Sequence, residues 1–545
     1  MEFNLQSRRR CLQRAAESVV DILVVGGGIT GAGVLREAAL GGFSAALVDK
    51  GDFASGTSSR SSKLIHGGVR YLQQGDIGLV REAARERARL HRMAPHLARP
   101  VSMMIPAPSR GGLLKVAAGL WTFDRLAGDP ADRHRVLSKK ESRRAEPRLR
   151  KAERLSGSVV FTEYLTNDAR LVLETIQSAV AEGALAANYV CVRAIESDPK
   201  GLRVSLRDSV GGEDLTVRCR CLVNAGGPWM ESVRGLAAEQ QHGLLQLTRG
   251  IHLVVRRERL PVKHIVVLRA PDGRSTFVVP AGRYAYLGTT DTHYRGEREE
   301  PGVSSSDADY LLEAAALTFD DAPSADDIVG TWAGVRPLLA QAGKSPSEIS
   351  RRDEILEGPG PIVSIAGGKL TTYRCMAERV LDHVSRMIGR PPRNRGDSSE
   401  RPLAGGGVRE QTQARRDAPD LADRVLEDRL WATYGAAAGS IARRIADRPS
   451  SGDGIAGLEE LTVAEVEHAV EAEMALTLDD LLRRRSRVAM FDGVAACKAA
   501  PRAAACMGRL LGWDSEREQR EVQSFRGFVG SELSAVRGSA QEVPA

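Results

Sequence analysis

An almost unbroken apolar run, Val19 to Val25, ends in glycines, and a small-residue stretch from about Gly31 to Gly41 follows it before a second apolar run, Ser44 to Val48. Strand, helix and strand in that order predict one βαβ unit with a buried parallel pair. Further short alternating segments, Arg203–Leu206, Leu253–Val255, Phe277–Val279 and Ala285–Gly288, predict a second, largely antiparallel sheet in the middle of the chain. Between Gly389 and Gly407 the sequence turns to Pro, Gly, Arg and Ser, which breaks both periodicities and reads as a linker. Beyond it, Val463–Met474 and Thr477–Met490 have helical spacing.

The expected architecture is therefore mixed α/β. A dinucleotide-type part (mainly 19–100, 150–245 and 330–388) is interleaved with a substrate part built on the antiparallel sheet (mainly 101–149 and 246–329). Residues 389–407 form the linker, 408–528 a helical C-terminal domain, and 1–18 and 529–545 are expected to be disordered. A chain of 545 residues suits two or three packed units of this kind.

Charge and cysteine usage narrow the function classes. A net charge of +7 is compatible with nucleic acid, an anionic membrane surface or acidic substrates. Aromatics are only 4% and no nucleic-acid-binding motif is present, so nucleic acid is set aside. The seven cysteines are odd in number and form no CxxC pair, which indicates neither a disulfide scaffold nor a metal site. No window has the roughly 18–20 apolar residues of a membrane span, and Met1–Ser18 carries arginines without a signal-like apolar stretch, which predicts a cytoplasmic protein.

The chemistry begins at Gly26, Gly28 and Gly31, a GxGxxG directly after the first strand, with Asp49 at the end of the second. Glycines let the backbone approach a pyrophosphate, the helix N-terminus favours its charge, and Asp49 can accept hydrogen bonds from ribose hydroxyls. A small polar stretch, Thr57 to Gly68, follows, and Asn224–Trp229 and Gly367–Tyr373 stand later in the chain. The glycines of the last segment, ahead of a predicted helix, can aim N–H groups at a flavin carbonyl. All three segments together favour FAD over a nicotinamide cofactor.

With Gly26–Gly33, Thr57–Leu72, Asp168–Leu171, Asn224–Trp229, Gly288–Asp291, Gly334–Leu338 and Gly367–Arg374 in one order, the sequence resembles the FAD-dependent glycerol-3-phosphate dehydrogenases of the D-amino-acid-oxidase-like flavoproteins. The resemblance covers about Val19 to His383, and continues more thinly through Glu473–Asp480. It implies an FAD-binding Rossmann-like domain and oxidation of glycerol 3-phosphate to dihydroxyacetone phosphate, with electrons passed to a membrane quinone. The protein would then touch the inner face of the cell membrane without crossing it, and would form a homodimer. Cofactor contacts are expected from Gly26, Gly28, Ile29, Thr30, Gly31, Asp49, Lys50, Thr57, Ser58, Ser59, Ser62, Lys63, Leu64, His66, Gly67 and Gly68. The later cofactor contacts are Ala225, Gly226, Trp229, Gly334, Gly368, Lys369, Leu370 and Thr371. Asp49 stands where the family more often has Glu.

A phosphorylated polyol needs fixed cations with fork geometry. The resemblance places Arg70, Arg336, Arg351 and Lys369 around the substrate, with Tyr71 and Thr371 as hydrogen-bond donors. The hydroxyl proton needs a base, for which His66 and His252 are both candidates. Arg336 and Lys369 can also lower the energy of the developing alkoxide. An oxidase using oxygen and a flavin-binding protein without turnover are the competing readings. Trp121 and Phe123, in the apolar stretch Leu113–Leu126, are membrane-contact candidates or parts of an ordinary core helix.

Overall fold

The computed structural model describes residues 2–68, 76–127, 133–149, 155–237, 243–340 and 353–537. Val19–Val25 pairs in parallel with Ala45–Val48 on one side and Asp214–Asn224 on the other. Leu185–Ala187 extends the sheet beyond Ala45–Val48, and Ile362–Ala366 beyond Asp214–Asn224, both in parallel. Strands buried on both faces need no alternation, which is why Val19–Val25 is apolar almost throughout. In this same sheet Gly201–Asp208 pairs antiparallel with Asp214–Asn224, and Val190–Asp198 pairs antiparallel with Gly201–Asp208. Arg203–Leu206 therefore belongs to the first sheet and not, as its alternation suggests, to the second. Period two reports a half-exposed strand but not its partner.

The crossover helix Ile29–Leu40 packs against Asp168–Ala181 and Tyr373–Met387. Its small residues allow the approach: a Cβ on Gly33 would lie 2.9 Å from the Tyr373 ring. The second sheet is centred on Leu245–Arg256, which pairs antiparallel with Ile328–Leu339 and with Tyr284–Gly288. It continues through Ser275–Ala281 and Ile265–Arg269 to Arg99–Ala107, Gly157–Leu165 and Leu64–Ile65. One pairing in it, Ile265–Arg269 with Arg99–Ala107, is parallel. Gly157–Leu165 and Ile328–Leu339 thus sit in the second sheet, although the sequence division gave most of both to the dinucleotide part.

Segment 389–407 contains only a short turn of helix, Asp397–Ser399, yet it is pinned to the first domain. Arg36 donates to the carbonyls of Ser398 and Arg401 at 3.2 and 2.7 Å, and Leu403 is buried in the core of that domain. The C-terminal domain is helical apart from the hairpin Gly454–Ile455 and Leu458–Thr462. Within Thr477–Met490, the span Asp480–Arg485 is a wide helical turn with i to i+5 bonding, and ordinary helix resumes at Val488.

Both ends depart from expectation. Leu5–Glu17 is a helix with an Asn4 capping box, packed on the sheet through Leu12 and Ala15. The buried Arg8 is paired with Asp208, the other anchor of that helix. At the far end, Ser515–Arg537 is one helix whose Phe525, Val529, Leu533 and Val536 are buried, so order extends past Val529 to Arg537. In both segments a few apolar or paired positions among many charges suffice for docking, and window composition hides them.

Candidate active site

A cavity of about 850 Å³ opens at the carboxyl ends of the parallel strands, where open α/β sheets bind ligands. In its wall Gly26 adopts φ +112°, and Gly28 is the N-cap of helix Ile29–Leu40. A Cβ on Gly26 would lie 2.5 Å from the Ala225 carbonyl oxygen, and one on Gly31 would lie 1.9 Å from that of Gly26. Only bare backbone fits, and it leaves a concave cradle beside the helix N-terminus. Asp49 accepts from the Gly27 and Gly51 N–H groups at 2.6 and 2.8 Å, so each carboxylate oxygen is fixed while keeping a lone pair. Lys50 lies 4.1 Å over the Trp229 ring, and both bond to Glu299, at 2.5 and 2.9 Å.

Burial raises the Asp49 carboxyl to about 6, against the pull of its two backbone donors. Ribose hydroxyls donate to a carboxylate, so a bound dinucleotide favours the ionised form and lowers that value. Cofactor affinity is then full above about pH 6 and falls as the pH drops through it, by at most about tenfold per unit. Titrating flavin fluorescence between pH 5 and 8 checks this, and Asp49→Asn should bind more weakly with a flat profile.

The cavity wall also includes Arg336, Gly368, Lys369 and Leu370. The Arg336 guanidinium fills a notch left by Gly250, where a Cβ would lie 2.3 Å from Nη2. It donates to Asp291 Oδ1 at 3.1 Å, to the Thr290 carbonyl at 3.2 Å and to Thr289 Oγ1 at 3.0 Å. Gly367 and Gly368 take φ +75° and +84° and turn the chain into the short helical turn Leu370–Thr372 and then Tyr373–Met387. The geometry fits a long molecule with a diphosphate near the glycines and a ring system near this turn.

The expected site residues fall into two groups. Gly26, Gly28, Ile29, Thr30, Asp49, Lys50, Thr57, Ser58, Ala225, Gly226, Trp229, Arg336, Gly368, Lys369 and Leu370 line the cavity. The others do not. Ser58 Oγ accepts from the Ile29 N–H at 2.9 Å, but the loop then dives onto the second sheet. Thr57 donates to the Val335 carbonyl at 2.6 Å, Trp332 to that of Ser61 at 3.0 Å and Tyr286 to that of Ser62 at 2.8 Å. Gly334 admits this loop, since a Cβ there would lie 2.7 Å from the Arg60 carbonyl oxygen.

Lys63 is turned away from the cavity, with its ammonium on Asp168 at 2.9 Å and on the buried Ser59's carbonyl at 2.8 Å. Burial presses its basicity down, and Asp168 offsets part of that. Leu64 belongs to the core, and the Gly67 N–H donates to Glu163 at 3.0 Å beside Gly68, which takes φ +88°. Thr371 Oγ1 donates to the His66 carbonyl at 3.3 Å and so joins the two loops. The positions Arg70, Tyr71 and Arg351 lie outside the described residues.

The two histidines are placed very differently. His252 stacks on Trp332 at 4.6 Å, bonds Ser62 Oγ at 2.9 Å through Nε2 and is 1% exposed. Burial, with Arg336 and Lys63 nearby, holds it well below the ordinary imidazole range. His66 keeps 41% of its side chain exposed, with Nδ1 3.9 Å from Glu163.

Several cavity residues were not anticipated. Arg60, Glu299 and Glu300 line it from the loops, and Asp479 and Arg484 reach it from the C-terminal domain. Arg60 is bonded to the Glu299 carbonyl at 2.8 Å, and burial lowers it to about 10. The sequence marked Arg60 only as part of the Thr57–Gly68 stretch and Asp479 only as part of the thinner resemblance through Glu473–Asp480, and it gave no sign of Glu299, Glu300 or Arg484.

Comparison with known proteins accounts for this arrangement. Residues 21–374 match the family model of the FAD dependent oxidoreductases, and 397–518 match that of the C-terminal domain of alpha-glycerophosphate oxidase. An aerobic glycerol-3-phosphate dehydrogenase of Staphylococcus aureus is 42% identical over 375 residues, 68% of this chain and 67% of that protein. The structure of a glycerol-3-phosphate dehydrogenase from Bacillus halodurans complexed with FAD superposes with a TM-score of 0.80, at 30% identity, over 99% of this chain and 100% of the other. The L-alpha-glycerophosphate oxidase of Mycoplasma pneumoniae, at 15% identity and a TM-score of 0.53 over 71% of this chain and 99% of its own, shares the fold. The glycine cradle, the carboxylate of Asp49 and the volume of the cavity suit FAD, and the chain belongs to the FAD-dependent glycerol-3-phosphate dehydrogenases within the FAD dependent oxidoreductase family.

Proposed function

We propose that the chain oxidises sn-glycerol 3-phosphate to dihydroxyacetone phosphate and passes the electrons to a membrane quinone. The observation that carries the substrate reading is Arg336, a guanidinium in the wall of the FAD cavity that is fixed by donation to Asp291, Thr290 and Thr289. A fixed fork there suits a phosphate or an alkoxide oxygen. Lys369, on the turn that follows, adds a second cation, and Arg70, Tyr71, Arg351 and Thr371 are assigned to the same pocket by the family resemblance. Bound FAD supplies the hydride acceptor.

The protein supplies the rest. His66 is assigned the hydroxyl proton: its side chain is 41% exposed, and its carbonyl accepts from Thr371 Oγ1, next to Leu370 in the cavity wall. His252 is closed between Trp332 and Tyr286 and holds the Ser62 loop in place. The backbone N–H groups that lead into Tyr373–Met387 favour negative charge next to them.

No helix among the described residues is long and apolar enough to cross a membrane. In helix Arg110–Ala127, Phe123 is buried while Leu114 and Trp121 are 71% and 54% exposed. Lys115 and Arg125 are exposed on the same helix, with Arg125 over the Trp121 ring at 4.5 Å. An apolar surface flanked by cations is what an interface-lying contact with an anionic membrane requires, and it supports the quinone reading. Adding glycerol 3-phosphate without oxygen should bleach the flavin. A soluble quinone analogue should then restore the colour much faster than oxygen does. A yellow protein that does not bleach excludes the substrate, and faster recovery in oxygen makes the protein an oxidase.

A further inference from the structure

Where the C-terminal domain meets the cofactor domain, carboxylates and arginines are buried together. Asp52, 1% exposed, receives Arg484 Nε at 2.6 Å and the two terminal nitrogens of Arg485 at 2.7 and 2.9 Å. Arg484 also donates to Asp479 and Asp480, each at 2.7 Å, and Asp480 accepts from the Tyr189 hydroxyl at 2.5 Å. Burial alone would raise the Asp52 carboxyl, but Arg485 and Arg484 hold it below the usual range. One guanidinium reaches three carboxylates here through three separate nitrogens, a planar spread that a compact lysine ammonium lacks.

This cluster is continuous with the ribose end of the FAD site. Asp52 closes the turn that begins at Asp49, and the Gly51 N–H of that turn is one of the two donors fixing the Asp49 carboxylate. The opposite side of the turn is held by the next strand: Tyr189 N–H donates to the Gly51 carbonyl at 2.8 Å and Val190 N–H to that of Asp49 at 2.6 Å. Tyr189 thereby touches both the turn and Asp480. Asp479 and Arg484 themselves form part of the cavity wall.

We infer that the segment Asp479–Arg485 is a wall of the FAD site that fixes the ribose-binding turn through Asp52, so that docking of the C-terminal domain and retention of FAD are linked. The inference rests on the FAD assignment and is independent of the substrate and of the electron acceptor. A buried cluster that loses one partner leaves uncompensated charge, so the contact is made as a unit. Linkage is reciprocal: if docking tightens FAD, FAD tightens docking by the same factor.

The test uses the full-length holoenzyme. Arg484→Lys keeps the charge but not the fork, and flavin release on dilution, followed by fluorescence, should become about tenfold faster, within the usual range of coupling between sites. Arg429→Lys is the control: Arg429 makes a two-pronged pair with Glu465, both contacts at 2.7 Å, inside the same domain and away from the cavity. It should release flavin at the wild-type rate. A readout without substitutions is hydrogen exchange of the wild-type chain with and without FAD, where FAD should slow exchange across 473–487 as well as 26–31. Release from Arg484→Lys at the wild-type rate, equal acceleration by Arg429→Lys, or FAD protection that leaves 473–487 unchanged would each overturn the inference. Should Arg484→Lys fail to fold, the exchange measurement decides.

Discussion

Arg336→Ala is expected to lower kcat/KM for glycerol 3-phosphate by about 10³-fold while the purified protein stays yellow, as loss of a charge-assisted pairing in a shielded site costs about 2–5 kcal/mol. The flavin should remain, as the contacts we propose for it at the Gly26 cradle and at Asp49 are left unchanged. Arg336→Lys keeps a cation but loses the fork that Thr289, Thr290 and Asp291 position, and should recover part of the loss, settling about 10–100-fold below wild type. Anaerobic stopped-flow reduction at a series of substrate concentrations separates the terms. A rise in half-saturation alone assigns Arg336 to the phosphate, whereas a lower limiting rate assigns it to the reacting oxygen. Reduction of Arg336→Ala at the wild-type rate would remove glycerol 3-phosphate from that part of the cavity.

The parts of the site that a local pattern specifies were legible in the chain. Gly26, Gly28, Gly31 and Asp49 are read from a strand, a helix start and a strand end within thirty residues, and backbone approach alone dictates their identity. Arg336 and Gly368 came through because the resemblance covers their motifs. The loop from Ser59 to Gly68 was misleading in detail, because a run of small polar residues announces many hydrogen bonds but not their partners. Here Ser61 and Lys63 pair with Asp168, Ser62 pairs with His252, and the carbonyls of Ser61 and Ser62 accept from Trp332 and Tyr286 of the second sheet. His252 was a candidate base by residue type, and its stacking on Trp332, eighty residues away, is not visible in local sequence.

What the sequence hid is long-range and charged. Arg8 and Asp208, Arg170 and Glu473, and Arg484 and Asp52 are buried pairs separated by hundreds of positions. Each member taken alone has the composition of surface. Once paired, Glu473 lies far below the usual carboxylate range despite burial, through Arg170 and His468. Removing one member of such a pair leaves a buried uncompensated charge, and no periodicity records the pairing. The helix Leu5–Glu17 was missed on the same ground, since its anchors are one such pair and two apolar side chains.

Gly31→Ala should give a chain that purifies without flavin. The added methyl would lie 1.9 Å from the Gly26 carbonyl oxygen and 3.3 Å from Val24 Cγ1, and backbone does not yield as a flexible side chain does. Gly26 has no room to retreat: any Cβ of its own would meet the Ala225 carbonyl at 2.5 Å, and its φ of +112° is already reserved for glycine. The helix Ile29–Leu40 must therefore lift away from Val19–Val25, opening the cradle whose backbone faces the pyrophosphate. Displacement of this kind by about 1 Å removes the close N–H contacts, and a loss of more than about 100-fold in FAD affinity follows at roughly 1.4 kcal/mol per factor of ten. Gly33→Ala, two residues on, provides the contrast. Its methyl would lie 2.9 Å from Tyr373 Cδ2 and 3.2 Å from Ala377 Cβ, both side-chain atoms, and the strain falls between two helices instead of on the cradle. That variant should be less stable but yellow. The ratio of flavin to protein absorbance in the two purified variants reads the difference directly. Stoichiometric flavin in Gly31→Ala would mean that the cofactor is held mainly by the Arg336 side and by the C-terminal wall, and that the glycine cradle serves packing of helix against strand alone.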